Sequence, residues 1–244
     1  MSVLVSRYIE WFHFFMEKID KNWASLRDRI ARACERAEHD PDEIRVIAVG
    51  KTRTADEIKA ALDCGLEIVG ENRVQEAEAK AIAVDASVSW HLIGHLQRNK
   101  VKKAAALFEM VQSLDSLRLA QALDLQAHAL NKRQPVLLQV NTSGEESKFG
   151  ATPAAARSLA EGAAECVNLS VRGLMTIGAH TDNESEIRAS FRTLRETAER
   201  LGEITGIEMS ILSMGMSDDF ELAISEGANM IRLGTALFGP RRAQ

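Results

Sequence analysis

The sequence IRVIAVGK, residues 44–51, is a short run of mostly β-branched apolar residues that ends in a lysine. Side chains alternate between the two faces of a strand, so Val49 and Lys51 point to the same side. A lysine that closes a buried strand costs free energy unless its ammonium has a partner or reaches solvent along its aliphatic stem. A lysine that reaches solvent is the simpler interpretation, so any function for Lys51 has to be argued from the remaining chain.

The pattern of a strand followed by a helix, which begins at residues 44–51, repeats along the chain. β-Branched runs alternate with longer segments of helical periodicity. Strands are predicted at 44–49, 66–69, 90–93, 110–113, 136–140, 171–175, 209–213 and 230–234. Helices are predicted near 72–83, 97–107, 116–131, 153–166, 184–202 and 217–226. Eight parallel strands predict an α/β protein with a single (β/α)8 TIM barrel.

The segments before the first strand and after the eighth strand depart from the regular alternation of strand and helix. Residues 235–244 are too few for a full helix after the eighth strand. An amphipathic helix that begins at Ile19 and is stopped by Pro41 is predicted to cover that gap. Thr54 and Glu57 predict a capping box at the start of the helix after the first strand.

Residues 1–18 form an atypical aromatic segment, and we predict the barrel domain at 19–244. Tyr8, Trp11, Phe12 and Phe15 recur at helical spacing and predict an additional N-terminal helix. Such a helix packs on the domain or on a second subunit. A weak membrane-surface anchor and a start codon assigned too early are the alternatives.

Composition restricts the class of protein. The chain has 244 residues, 45% of them hydrophobic, and a formal net charge of −5. This balance does not favour a nucleic-acid partner. The N-terminal apolar run is interrupted by charges, so we predict no membrane span and no signal peptide. Three cysteines without a CxxC pair favour a reducing, cytoplasmic location.

The loops after the seventh and eighth strands predict a phosphate site. Barrels of this class have their active sites at the C-terminal ends of the strands, and these two loops often bind phosphate. Small and hydroxyl-bearing residues are found there: Ser213, Gly215, Ser217, Gly234 and Thr235. Ser217 is also predicted to begin the next helix. The alternative is that the glycines only form turns.

Arg232 is predicted to point into the barrel mouth, because it alternates with Met230 and Gly234. An ion pair with a barrel carboxylate is the alternative explanation for this cation. His91 and His95 straddle a strand end without a third ligand, so hydrogen-bonded histidines are favoured over a metal site. A lysine, a phosphate cradle and an inward arginine together point to pyridoxal 5′-phosphate (PLP) held as a Schiff base.

Six segments of the chain resemble one family. They are VIAVGKTR, GENRVQE, WHLIGHLQRNK, LLQVNTSGEESKFG, GLMTIGA and LSMGMSDDFELAISEGANMIRLGTALFGPR, and they extend over residues 46–241. They are similar to the PLP homeostasis proteins, the YggS/PROSC family, whose barrel is like the N-terminal domain of alanine racemase. Gly50 and Arg73 depart from the family, where serine and tyrosine are common.

The resemblance implies a barrel of PLP fold type III with the Schiff-base lysine at Lys51. It also implies the cofactor contacts: phosphate binding by Ser213, Gly234 and Thr235, Arg232 beside the pyridine nitrogen, and a pocket lined by Asn72 and Met214.

Three functions are compatible with these features. The first is a PLP-binding protein that buffers or delivers the cofactor with little catalysis. The second is a PLP-dependent amino-acid racemase, and the third is a Schiff-base aldolase. Racemisation needs a second acid/base opposite the lysine. In the racemases that this chain resembles, the second base is a tyrosine from an extra domain. We expect no such domain here, and Tyr8 is the single tyrosine. The first function is therefore predicted.

The expected partners follow from this function. They are PLP and PLP-dependent apo-enzymes, without nucleic acid, membrane or metal, and the protein is expected to be a monomer or weak homodimer. Lys148 is predicted to be a second amine that accepts or relays PLP. Its alternative is a solvated loop lysine paired with Glu145 or Glu146.

Overall fold

The computed structural model describes residues 3–84 and 88–240, with side chains from Phe15 onward. Eight parallel strands form a closed barrel in sequence order, and the eighth strand pairs with the first. The strands are β1 Arg45–Val49, β2 Ile68–Glu71, β3 Ser89–Leu92, β4 Met110–Leu114, β5 Gln134–Gln139, β6 Leu169–Met175, β7 Ile211–Ser213 and β8 Met230–Leu233. The predicted TIM barrel is confirmed.

The helices lie outside the strands. They are α1 Val3–Ala37, α2 Ala55–Asp63, α3 Val74–Ala83, α4 Val101–Leu107, α5 Leu117–Ala129, α6 Ala156–Ala164, α7 Glu184–Thr205, α8 Phe220–Ser225 and α9 Thr235–Phe238. Within the described ranges, every helix is too short or too polar to pass through a bilayer.

The capping box predicted for α2 is present, but the strand after α2 begins later than predicted. The capping box is present, since Glu57 N–H donates to Thr54 Oγ1 at 3.2 Å and Thr54 N–H donates to Glu57 Oε2 at 2.7 Å. β2 begins at Ile68 rather than at residue 66. Leu66 N–H still donates to Ala61 O at 3.2 Å, so that residue belongs to the end of α2.

Two predicted helix starts differ from the structure. α4 begins at Val101 because Arg98–Lys100 first forms a 3-10 turn. α8 begins at Phe220 with Asp219 as N-cap, so Ser217 does not begin this helix. Ser217 is thereby left in the loop after β7.

Helix α1 covers the gap between α9 and α2, as predicted. Arg29 forms two hydrogen bonds to the Glu221 carboxylate, both 2.9 Å, and Asn22 Nδ2 donates to Leu237 O at 2.8 Å. α1 continues without a break through the domain boundary predicted at 18/19, and Phe15 is buried in the core. The side chains of Tyr8, Trp11 and Phe12 lie outside the described residues.

The core has two parts, which determine where the site lies. One fills the space between strands and helices. The other fills the barrel interior and consists of Ile47, Met110, Leu137, Met175, Ile211 and Met230. Arg232, Ser213 and Gln112 are joined by hydrogen bonds inside the barrel. The strand alternation therefore places Arg232 inward, as expected.

Candidate functional site

Lys51 lies in a tight turn directly after β1. Arg53 N–H donates to Gly50 O at 2.9 Å, which closes the turn, and Thr52 has a φ of +65°. Positive φ is unfavourable for a β-branched residue, so the backbone is strained next to the lysine. Lys51 is half-buried and forms no hydrogen bond or ion pair with any described residue. Its ammonium is therefore available to a ligand.

The Lys51 side chain lines a cleft of about 600 Å³ above β2 and β3. Asn72, which directly follows β2, lines the same cleft together with Arg73, His95 and Lys100. The structure thus brings two of the predicted residues, Lys51 and Asn72, into one cavity rich in basic and amide side chains.

A buried ion pair supports the backbone just before Lys51. Lys80 Nζ donates to Gly50 O and to Glu71 Oε1, both at 2.6 Å. Glu71 has no exposed surface, and desolvation raises its pKa even though Lys80 opposes the shift. A Cβ added to Gly50 would lie 2.5 Å from Glu71 Oε1. Sequence reasoning missed this support, although the GEN motif contains Glu71.

The loops after β7 and β8 meet at Ser217, and we call Ser217, Gly234, Thr235 and Ala236 the cradle. The backbone N–H groups of Gly234 and Ala236 converge on Ser217 Oγ, at 3.3 Å and 3.1 Å. Thr235 between them is exposed, and its hydroxyl has no partner among the described residues. Among the described residues, a Cβ added to Gly234 would meet Val49, with the closest approach at 3.5 Å. The loop after β8 therefore lies against β1, the strand that Lys51 follows.

Arg232 extends below this cradle into the barrel. Nη1 donates to Ser213 Oγ at 2.9 Å, and Nη2 donates to Thr176 O at 2.7 Å. Burial lowers the pKa of Arg232 to about 10, so the guanidinium stays charged at neutral pH. No carboxylate of the described residues pairs with it, which disfavours the alternative of an ion pair. Asp219 acts on it through its charge, while its own Oδ1 accepts from Met216 N–H.

Ser213 lies inside the barrel beside Arg232, and Met214 belongs to the core between strands and helices. The Ser213 hydroxyl donates its proton to Gln112 Oε1 at 2.7 Å, so that proton is not available to a phosphate. Met214 is completely buried between strands and helices, because it alternates with the inward Ser213. Ser217 is the hydroxyl that the structure brings to the N–H groups of Gly234 and Ala236.

Lys148 lies at a second cleft of about 630 Å³, formed by the loops after β5, β6 and β7. Its ammonium donates to Glu145 Oε1 at 2.5 Å and to Gly178 O at 2.7 Å. The hydrogen bond from Lys148 lowers the pKa of Glu145. The pairing with Glu145 that was left open as an alternative is therefore present.

The two histidines of the WHLIGH motif have different environments. His91 is buried and its Nδ1 lies 2.9 Å from Gln112 Nε2. His95 stacks on Phe149 with ring centroids 3.9 Å apart, and its Nδ1 lies 3.1 Å from Asp115 Oδ2. Across the described ranges, no group of three or more His, Cys, Asp or Glu side chains could hold a metal ion.

A closed parallel barrel with a lysine after the first strand fits the class of the alanine racemase barrel. Residues 19–242 match the family model described as alanine racemase, N-terminal domain. An alanine racemase from Clostridium difficile shares this fold, with a TM-score of 0.75 at 15% identity over 93% of this chain and 58% of that chain.

Two relatives are more similar. A pyridoxal phosphate homeostasis protein from Aquifex aeolicus is 42% identical over 216 residues, which are 88% of this chain and 95% of that protein. PipY from Synechococcus elongatus, whose structure has PLP bound, has a TM-score of 0.80 at 36% identity over 91% of this chain and 100% of that chain. The chain belongs to the pyridoxal phosphate homeostasis protein family, as its sequence motifs predicted.

Proposed function

We propose that this chain binds PLP through Lys51 as a Schiff base and buffers or delivers the cofactor, with little or no catalysis of its own. The observation that carries the proposal is Lys51, which follows β1, lines a cleft and forms no hydrogen bond or ion pair with any described residue. β1 pairs with β8, so the loop that carries Gly234 and Thr235 follows the neighbouring strand. An amine and hydroxyl groups after two neighbouring strands fit an aldehyde that carries a phosphate.

The cradle suits the phosphate of PLP. The N–H groups of Gly234 and Ala236 donate to Ser217 Oγ and hold this hydroxyl in the loop that carries Thr235. The hydroxyls of Ser217 and Thr235 would bind a phosphate with charge-assisted hydrogen bonds. Ser217 Oγ now accepts from both N–H groups and would turn its own proton toward a phosphate oxygen.

The ring end of the site is suited to binding rather than to catalysis. When bound, PLP supplies an electron sink whose strength depends on protonation of the ring nitrogen. Arg232 has donors only, so it would hydrogen-bond that nitrogen without giving it a proton. Asn72 lines the cleft near Lys51 and would orient the ring.

The racemase alternative depends on a second base opposite Lys51. In the racemases that this chain resembles, that base is a tyrosine, and Tyr8 is the single tyrosine of this sequence. We therefore expect negligible racemisation of alanine. Turnover in the usual enzyme range of about 1–10³ per second would favour the racemase instead.

Lys148 is proposed as a second amine that relays PLP during release. Its position at the second cleft supports this role, and the pairing with Glu145 and Gly178 O opposes it, since both contacts must break first. Lys148→Ala should slow transfer of PLP to an apo-enzyme, with Lys132→Ala as a control distant from the mouth. Transfer at the wild-type rate would show that Lys148 is no relay.

The proposal extends to the setting of the protein. Recipients would be PLP-dependent apo-enzymes in the cytoplasm, and the protein would act as a monomer or weak homodimer. The three cysteines, Cys34, Cys64 and Cys166, are free thiols, which supports a reducing compartment.

Borohydride reduction of the PLP-loaded protein, followed by peptide mapping, tests the proposed function. We expect the label on Lys51, and we expect Lys51→Ala to lose the visible absorption band of the lysine adduct while retaining weaker phosphate-dependent binding. The fold should survive, because the half-buried side chain makes no described polar contact. Lys100→Ala, the other lysine of the cleft, is the matched control. A label on any other lysine would contradict the assignment.

A further inference from the structure

A hydrogen-bonded chain of four buried side chains crosses the barrel interior. Arg232 Nη1 donates to Ser213 Oγ at 2.9 Å, and Ser213 Oγ donates to Gln112 Oε1 at 2.7 Å. Gln112 Nε2 lies 2.9 Å from His91 Nδ1. The four residues come from β8, β7, β4 and β3, and none is more than 4% exposed. We call Arg232, Ser213, Gln112 and His91 the interior relay.

The direction of every proton in the interior relay follows from its first member. A guanidinium only donates, so Ser213 accepts from Arg232 and has its own proton to give. Gln112 accepts the hydrogen bond from Ser213 on Oε1, so its amide nitrogen points toward His91. The amide nitrogen also lies 3.2 Å from Met230 Sδ, a weak acceptor that an amide oxygen would repel. His91 therefore accepts on Nδ1 and carries its proton on Nε2.

The far end of the relay is kept neutral. Burial lowers the pKa of His91 to about 4, with Arg45 acting in the same direction and Glu109 against it. A protonated Nδ1 would face the amide hydrogens of Gln112 and break the chain. His91 also lines the cleft at the amino-terminal end of the barrel with Arg45, Ser89 and Glu109, so the relay spans the barrel from that end to Arg232.

We propose that Gln112 and His91 are positioning residues for Arg232: the relay holds Ser213 as an acceptor, which fixes the guanidinium so that its remaining N–H groups would be available to the ring nitrogen of a bound cofactor. The effect on the cofactor rests on the proposed function, whereas the relay itself is a property of the cofactor-free protein. Without Gln112, the Ser213 proton has no acceptor in the relay and is free to turn toward Arg232.

The first test needs no cofactor. In protein labelled with ¹⁵N-histidine, long-range ¹H–¹⁵N correlation should show His91 protonated on Nε2 and bare on Nδ1 from pH 6 to 8. Gln112→Glu places a carboxylate beside Nδ1, so His91 should become protonated there and titrate at higher pH than in the wild type. Ser113→Ala is the matched control, because the neighbouring Ser113 hydroxyl is buried without a hydrogen-bond partner among the described residues.

The second test uses the PLP-loaded protein. Gln112→Leu and Ser213→Ala interrupt the relay at adjacent points without adding charge. Each should shift the absorption maximum of the bound cofactor and weaken PLP affinity about tenfold, equivalent to one lost hydrogen bond. Ser113→Ala should change neither property. Two relay variants keep the test valid when one of them fails to fold.

The outcomes separate the two proposals. A wild-type His91 with its proton on Nδ1, or a Gln112→Glu variant with unchanged His91 signals, would overturn the interior relay. An intact relay together with unchanged cofactor spectra in both Gln112→Leu and Ser213→Ala would overturn the positioning role. A wild type that takes up no PLP overturns the proposed function and the positioning role, and the relay is then judged on the His91 signals alone.

Discussion

The proposed phosphate site depends on individual hydroxyl groups after β7 and β8. Ser217 and Thr235 border the cradle, whereas Ser213 lies inside the barrel. Ser217→Ala combined with Thr235→Val should weaken PLP binding by about 3 kcal/mol or more, since a hydrogen bond to a charged group contributes about 1.5–3 kcal/mol. A PLP titration followed by absorbance measures this. Pyridoxal, which lacks the phosphate, should bind the variant and the wild type equally, and an equal loss for both ligands would mean that the phosphate binds elsewhere.

His91 makes stability depend on pH. Its pKa is about 4 in the folded protein and 6.5 as a free side chain. The contribution of neutral His91 to the free energy of unfolding is therefore complete above pH 6.5 and is lost as the pH falls from 6.5 toward 4. The total loss is on the order of 3 kcal/mol. Urea unfolding of the wild type and of His91→Leu at several pH values should show a shallower slope for the variant in this window. Identical slopes would mean that His91 titrates normally.

Among the structural elements, β1, β2 and α3 are joined by the buried pair of Glu71 and Lys80. Lys80→Met should destabilise the protein by about 3 kcal/mol, because it leaves a carboxyl group buried without its cation. The loss should shrink at low pH, where Glu71, whose pKa is already raised, becomes neutral. Urea denaturation measures both effects.

The matched control is Lys103→Met. Lys103 pairs with Glu78 at 2.9 Å, but its side chain is 56% exposed. Exposed pairs contribute at most about 1 kcal/mol. Equal losses for Lys80→Met and Lys103→Met would contradict a supporting role for the buried pair.

The loop after β1 is also connected to the segment after β8. Arg53, two residues after Lys51, donates through Nη2 to Gly239 O and lies over the Phe238 ring at 5.3 Å. The turn that carries Lys51 is thereby attached to the end of α9, which begins at Thr235. This contact joins the two loops, although they come from opposite ends of the chain.

The closed barrel also depends on α1, which replaces a full helix after β8. A chain beginning at Met16 should keep the barrel and its PLP site, since Ile19, Leu26 and Ile30 still cover the gap. It should lose about 3 kcal/mol of stability, because Phe15 is only 7% exposed. Phe15→Ala in the full chain is the control and should reproduce most of that loss. An insoluble or PLP-free product would assign the earlier aromatic residues to the core.

Much of the architecture could be predicted from periodicity and local chemistry. The strand number, the capping box at Thr54 and Glu57, and the inward direction of Arg232 all follow from alternation and helix-end rules that act over a few residues. The position of Lys51 at the end of β1 follows from the same local pattern. The starts of β2 and α4 could not be predicted in this way. β2 starts later than its apolar residues because Leu66 still donates a hydrogen bond to the end of α2. α4 starts later because a 3-10 turn precedes it.

The contacts around the site come from elements distant in sequence, and no local rule predicts them. Ser213 and Ser217 both carry hydroxyls near one strand end, and the sequence placed both of them at a predicted phosphate site. Closure of the barrel brings Gln112 within 2.7 Å of Ser213 and leaves Ser217 at the N–H groups of Gly234 and Ala236. The free energy of a polar group depends on which partners remain once water is removed, and those partners are set by packing across the barrel.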